Sequence, residues 1–173
     1  MLNNLDNPIW DINDEAIEEY WLIIDEYVDE RLNTNKSTDL VIEYLQDLYE
    51  DFQDWDLVLV GYLIWWENLK DIMMQQDQKE IKDLYLDSWV MSAYYAIVWY
   101  KYVMENLKDY IKVNSTKSYP QIETETERLW ETKDLIKRAK EEWYTFKAIK
   151  ELNPWILWDN LPKGRREVEV YDN

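Results

Sequence analysis

Residues 14–32 read DEAIEEYWLIIDEYVDERL, and whether this stretch is helical decides the architecture expected of the whole chain. Its apolar positions are Ile17, Tyr20, Trp21, Ile24, Tyr27 and Val28. They recur at intervals of three and four, as one face of an amphipathic helix requires. Asn13 is suited to the N-cap, and Asp14 and Glu15 suit the positive end of a helix. The spacing predicts a first helix from about Asn13 to Leu32. Residues 1–12 read as an irregular lead-in, in which Pro8 limits helix and Ile9 and Trp10 are free to pack.

The same periodicity continues outward. After a polar loop, Asn33–Ser37, a second helix capped by Ser37 or Thr38 buries Val41, Tyr44, Leu45, Leu48, Tyr49 and Phe52. It bends or restarts near residues 53–56 as a third helix reaching about Gln75. There Val58, Tyr62, Trp65, Leu69 and Ile72 form a stripe, and Leu57, Leu59, Leu63 and Trp66 make the element apolar nearly all round. A central helix is predicted, with a buried strand at Leu57–Val60 as the alternative. A fourth helix is predicted from Lys79 to Val113, with Trp89, Tyr100 and Met104 among its inward residues. After the loop Asn114–Pro120, a fifth runs from about Gln121–Thr124 to Asn153 and buries Leu129, Trp130, Ile136, Ala139, Trp143, Phe146 and Ile149. Trp155–Trp158 is expected to fold back on the bundle. The tail, Lys163–Asn173, alternates at Val168 and Val170 and reads as a short strand or a disordered end. The expected fold class is therefore all-α: a single-domain bundle of about five helices over residues 1–162, with a short tail at 163–173.

Composition supports this reading. With 173 residues, 47% of them hydrophobic, and 11 Trp and 14 Tyr, the chain can bury a sizeable core. It has only 2 Gly, and no Asn-Gly or Asp-Gly to build tight hairpins. There is no Cys and no His, which excludes disulfides, Cys/His zinc sites, thiol nucleophiles and imidazole bases. The opening MLNNLDNPIWDINDE lacks the basic region and apolar core of a signal peptide. The longest apolar stretches, Leu57–Trp66 and Trp89–Tyr100, are shorter than the roughly 20 residues of a membrane span. A cytoplasmic protein with no membrane contact is expected.

The formal charge is −18. Residues 1–80 carry 21 acidic and 4 basic side chains, whereas residues 81–173 carry 16 and 15. Such concentrated like charge opposes folding through self-repulsion, so it calls for a function. On the predicted helix 1 the acids fall in two rows: Asp14, Glu18, Asp25 and Asp29, beside Glu15, Glu19, Glu26 and Glu30. On helix 2 they are Asp39, Glu43, Asp47, Glu50, Asp51 and Asp54. Residues four apart on a helix rise about 6 Å, on the order of the phosphate spacing along one strand of DNA. Two packed rows would form a carboxylate field resembling nucleic acid, suited to the basic groove of a nucleic-acid-binding enzyme.

In charge and helicity, residues 11–56 resemble the acidic inhibitors that phages use against host restriction or CRISPR nucleases. The likeness implies a DNA-mimicking, anti-restriction or anti-CRISPR interaction protein. Its partner would be a basic protein, with no direct nucleic-acid binding. The alternatives are an immunity protein or antitoxin against a basic toxin, or a structural assembly subunit, including a homodimer through Trp-rich surfaces. A carboxylate enzyme is the reading of another class. It would need environments that push two pKa values apart, which crowded solvent-facing rows do not supply. No catalytic residue, metal site or cofactor is therefore assigned. Stretches such as Asp51–Asp56 lack the Gly and Glu of a calcium loop and read as capping and charge. Most of the Trp residues, including Trp21, Trp65, Trp89, Trp130 and Trp143, read as core. Lys133, Lys137, Arg138, Lys140, Lys147 and Lys150 are interleaved with acids and read as internally paired, or as self-associating antiparallel with an acidic helix.

Overall fold

The computed structural model describes residues 8–12, 14–110, 123–129, 133–141, 145–161 and 166–171. Among them the chain is predominantly helical, with eight α-helices, two short 3-10 turns and four strands. There are thus more helices than the five expected, and two antiparallel strand pairs that an all-α reading left out. No described helix is long and apolar enough to cross a membrane. The chain divides into two compact units, one made of residues 1–42 and 120–173, the other of residues 43–119.

In the first unit, α1 spans only Asp14–Glu19, not Asn13 to Leu32; Asn13 itself lies outside the described residues. The Leu22 amide reaches back to the Ile17 carbonyl at 3.2 Å, and Trp21 takes the left-handed conformation at φ 61°. That is the Schellman ending of a helix, with Trp where Gly is usual. Trp21, assigned to the core by its spacing, is 87% exposed. A tight loop follows, closed by a bridge between Ile24 and Asp29. Asp25 Oδ1 accepts from the Tyr27 and Val28 amides at 2.8 and 2.9 Å, a local side-chain bond that competes with helix. The loop then pairs with the 155–157 segment through Asp29 N to Trp155 O and Leu157 N to Tyr27 O, both 2.8 Å. A 3-10 turn at Glu30–Leu32 leads into α2, Thr34–Phe52. Asn33, not Ser37 or Thr38, caps α2, its Oδ1 accepting from Asn35 and Lys36.

The predicted fifth helix is instead β1 (Thr124–Leu129), β2 (Lys133–Asp134), α7 (Leu135–Glu141) and α8 (Phe146–Leu152). β1 pairs antiparallel with β4 (Arg166–Tyr171), Thr124 opposite Tyr171, and β2 pairs with β3 (Asn160–Leu161). Val28, Leu135, Ala139, Ile149, Trp155, Ile156, Leu161, Val168 and Val170 form one buried core. Trp155 and Ile156 do fold back into it, and residues 166–171 of the tail take the strand form. Asn153, fully buried, secures β4: its side chain donates to Glu169 O at 2.7 Å and accepts from Glu169 N at 2.6 Å. Trp130 and Trp143 lie outside the described residues, as do the loop 114–120 and residues 163–165.

In the second unit, the expected third helix is two: α3 (Trp55–Ile64) and α4 (Trp66–Gln76), broken at Trp65 with φ 67°. A Cβ at Gly61 would stand at ordinary contact distance, 3.5 Å from Phe52 and 3.6 Å from Leu69, so the packing there does not require glycine. The expected fourth helix is a 3-10 turn at Ile81–Asp83, then α5 (Ser88–Glu105) and α6 (Leu107–Tyr110). Leu57, Val60, Leu69, Ile81, Leu84, Leu86 and Val90 make a second core. Of α5 only Val90 is fully buried, and its predicted inward residues Trp89, Tyr100 and Met104 are exposed.

Candidate interaction surface

The predicted acidic residues separate into those that hold the fold and those that face solvent. α1 presents Asp14, Glu18 and Glu19 outward while Ala16 and Ile17 are buried; the Glu15 side chain is outside the described set. Because α1 stops at Glu19, the two long rows of carboxylates do not form. Asp25 turns its carboxylate onto the backbone of its own loop. Glu26 is exposed, and its carbonyl accepts from Trp158 Nε1 at 2.7 Å.

Asp29 and Glu30 act within the fold. Asp29 caps the 3-10 turn and grips Arg31 through both carboxylate oxygens, at 2.9 and 2.6 Å. That hydrogen bond, and the charges of Asp29 and Asp14, raise the Arg31 pKa against the opposing effect of burial. Glu30 is buried, accepting from Ile23 N at 2.8 Å and from Lys36 Nζ at 2.6 Å. A buried carboxylate is retained when it is both paired and hydrogen-bonded, as here.

The helix 2 acids behave differently. Asp39, Glu43, Asp47 and Glu50 are all exposed along one side of α2, opposite buried Leu40, Val41, Tyr44 and Leu48. At 1.5 Å per residue they extend over about 16 Å. Asp51 and Asp54 depart from the row: Asp51 pairs with Lys70 at 2.9 Å, and Asp54 caps α3 by accepting from the Asp56 and Leu57 amides. The three bases Arg31, Lys36 and Lys70 are thus held by acids outside the row.

Three bases of the C-terminal stretch pair with acids of the same unit. Lys137 faces Glu141 and Lys147 faces Glu151 one helical turn on, and Arg138 bonds Glu127 of β1. Lys150 donates to the Ile156 carbonyl.

The second unit carries a feature that the carboxylate pattern did not signal: an open cleft of about 440 Å³ lined by Leu63, Ile64, Trp65, Asn68, Ile72, Tyr85, Leu86, Asp87, Trp89 and Val90. Its single carboxylate is Asp87, where acid–base hydrolysis of a glycoside uses two. Tyr85 and Trp89, which line it, are exposed; the apolar spacing had assigned both to the inner side of a longer helix. Among the described residues no group of three or more acids converges as metal ligands do. No protein-family model matches this chain, and no curated protein matches it.

Proposed function

We propose that this chain is an acidic interaction protein that occupies a basic, nucleic-acid-binding surface on a partner enzyme, in the manner of a nucleic-acid mimic of the anti-restriction or anti-CRISPR type. The observation that carries this reading is the row Asp39, Glu43, Asp47 and Glu50 on α2. Four exposed carboxylates lie along one helix, and Arg31, Lys36 and Lys70 pair with Asp29, Glu30 and Asp51. A row of this kind steers a basic partner at long range and is weakened by salt. Because α1 ends at Glu19, the reading rests on the α2 row rather than on a two-helix field.

The test is to bind the partner captured from a host lysate to the wild-type chain and to a variant with Asp39→Asn, Glu43→Gln, Asp47→Asn and Glu50→Gln. Binding to the variant should weaken by at least about 30-fold, with circular dichroism unchanged and a shallower salt dependence. Duplex DNA should displace the wild-type chain. Equal binding by the variant would refute the proposal. A partner indifferent to DNA would point to a dedicated toxin antagonist using the same row.

A further inference from the structure

On α5, Tyr95, Val98, Trp99 and Tyr102 are 61%, 39%, 58% and 50% exposed. Their spacing of three, four and seven places them on one stripe roughly 100° wide, on the opposite side of the helix from Val90. Met91, at the N-terminal end of the same line, is half-buried against the core, and the exposed stripe begins beyond it at Tyr95. The stripe is organised, with Trp99 stacked on Tyr102 at 5.8 Å and Tyr102 meeting Tyr110 of α6 edge-on at 6.5 Å. A single helix of a soluble domain rarely leaves so much contiguous aromatic surface in water.

We infer that this stripe is the seam of a homodimer, in which α5 of one copy packs against α5 of a second across a two-fold axis near Val98. The choice of occupant follows from charge and area. No charged residue lies between Asp87 and Lys101, and Lys101 is paired with Glu105 at 2.5 Å. A basic groove would find nothing to pair with on this stripe, and a net charge of −18 opposes an anionic membrane. An identical aromatic stripe is complementary to it, as a two-fold interface requires. The exposed parts of Tyr95, Val98, Trp99, Tyr102 and Tyr110 amount to on the order of 500 Å² per copy. Two copies reach about 1,000 Å², the lower limit of a specific interface. The dimer is therefore weak, with a dissociation constant on the order of micromolar. It does not depend on the mimicry of α2.

The full-length chain should sediment as a concentration-dependent monomer–dimer mixture over about 1–200 µM. Added NaCl should strengthen association, because it screens repulsion between two acidic copies. Val98→Glu with Tyr102→Glu should raise the dissociation constant at least about tenfold without loss of helicity. Tyr100→Glu, on the other side of α5, should change it by less than about twofold. Because the chain has no cysteine, Val98→Cys should give a disulfide-linked dimer on mild oxidation and Tyr100→Cys should not. A monomer at every concentration would overturn the inference, whether another part of the chain or a different partner covers the stripe. So would a dimer as tight in the Val98/Tyr102 variant, or equal cross-linking at both positions.

Discussion

Trp21, Gln53 and Asp77 each hold a left-handed backbone, at φ 61°, 54° and 49°; Gln53 and Asp77 stand directly after a helix and Trp21 two residues after one. Glycine is the usual occupant of that position, because any other side chain meets the following carbonyl. This chain has only two glycines, so it ends helices with residues that carry no such signal. Here the sequence was least legible. Periodicity showed where apolar faces begin, but nothing in Tyr20-Trp21-Leu22 marked the end of α1. Asp77 shows the same ending, with the Gln78 amide on the Met73 carbonyl at 3.1 Å. At Trp21 the strain is offset by little packing, since the side chain is almost wholly in solvent. Trp21→Gly is therefore expected to stabilise the chain by about 1 kcal/mol in urea denaturation. A loss of stability would mean that the indole makes a contact that outweighs the backbone gain.

Elements formed by local contacts were readable, and those formed by distant partners were not. α2 was expected, although it begins at Thr34, inside the stretch read as a loop, and Val41, Tyr44 and Leu48 of its predicted stripe are buried. β1, TETERL, was read as helix because Glu and Arg favour helix. Its strand partner lies about 40 residues further on, and β preference depends strongly on such a neighbour. The alternation of Val168 and Val170 was visible, but nothing in the sequence named β1 as the strand it faces. The pairing is reinforced by side chains: Thr126 Oγ1 donates to Glu169 at 2.7 Å, and Arg128 Nε to Glu167 at 3.1 Å. Burial pushes the Glu167 carboxyl up, but Lys36 at 3.5 Å and Arg128 outweigh it and hold it below its ordinary value of 4.5. A depressed carboxylate stabilises the fold above its unfolded value, and the benefit is lost as pH falls through the folded value. Wild type should exceed Glu167→Gln by at most about 1 kcal/mol at pH 7. The gap should shrink as pH falls below 4.5 and vanish once pH has passed through the lowered folded value, as thermal melts of the two proteins across pH would show. A gap independent of pH would assign the effect to packing rather than charge.

For the molecule as a whole, the dominant electrostatic fact is 21 acidic against 4 basic residues in the first 80. The candidate surface was legible as composition but not as geometry. The acids were visible, yet which of them would be absorbed as caps and buried partners depended on where the helices ended. Surface ion pairs contribute little, so unrelieved repulsion outweighs them. Raising NaCl from about 0.02 to 0.5 M is expected to lift the melting temperature by several degrees. A melting temperature that falls with salt would show that attractive pairs govern stability instead.

The first unit is assembled from both ends of the chain, with residues 43–119 between its halves. During synthesis this becomes a delay. Val28, which shares a core with Leu135, Ile156 and Val168, leaves the ribosome roughly 100 residues before β1, and β4 emerges later still. At about 5–20 residues per second the wait is roughly 5–20 s. Throughout it the nascent N-terminal segment has apolar side chains and no core to receive them. Its crowded carboxylates repel like-charged neighbours, which opposes association of that waiting segment.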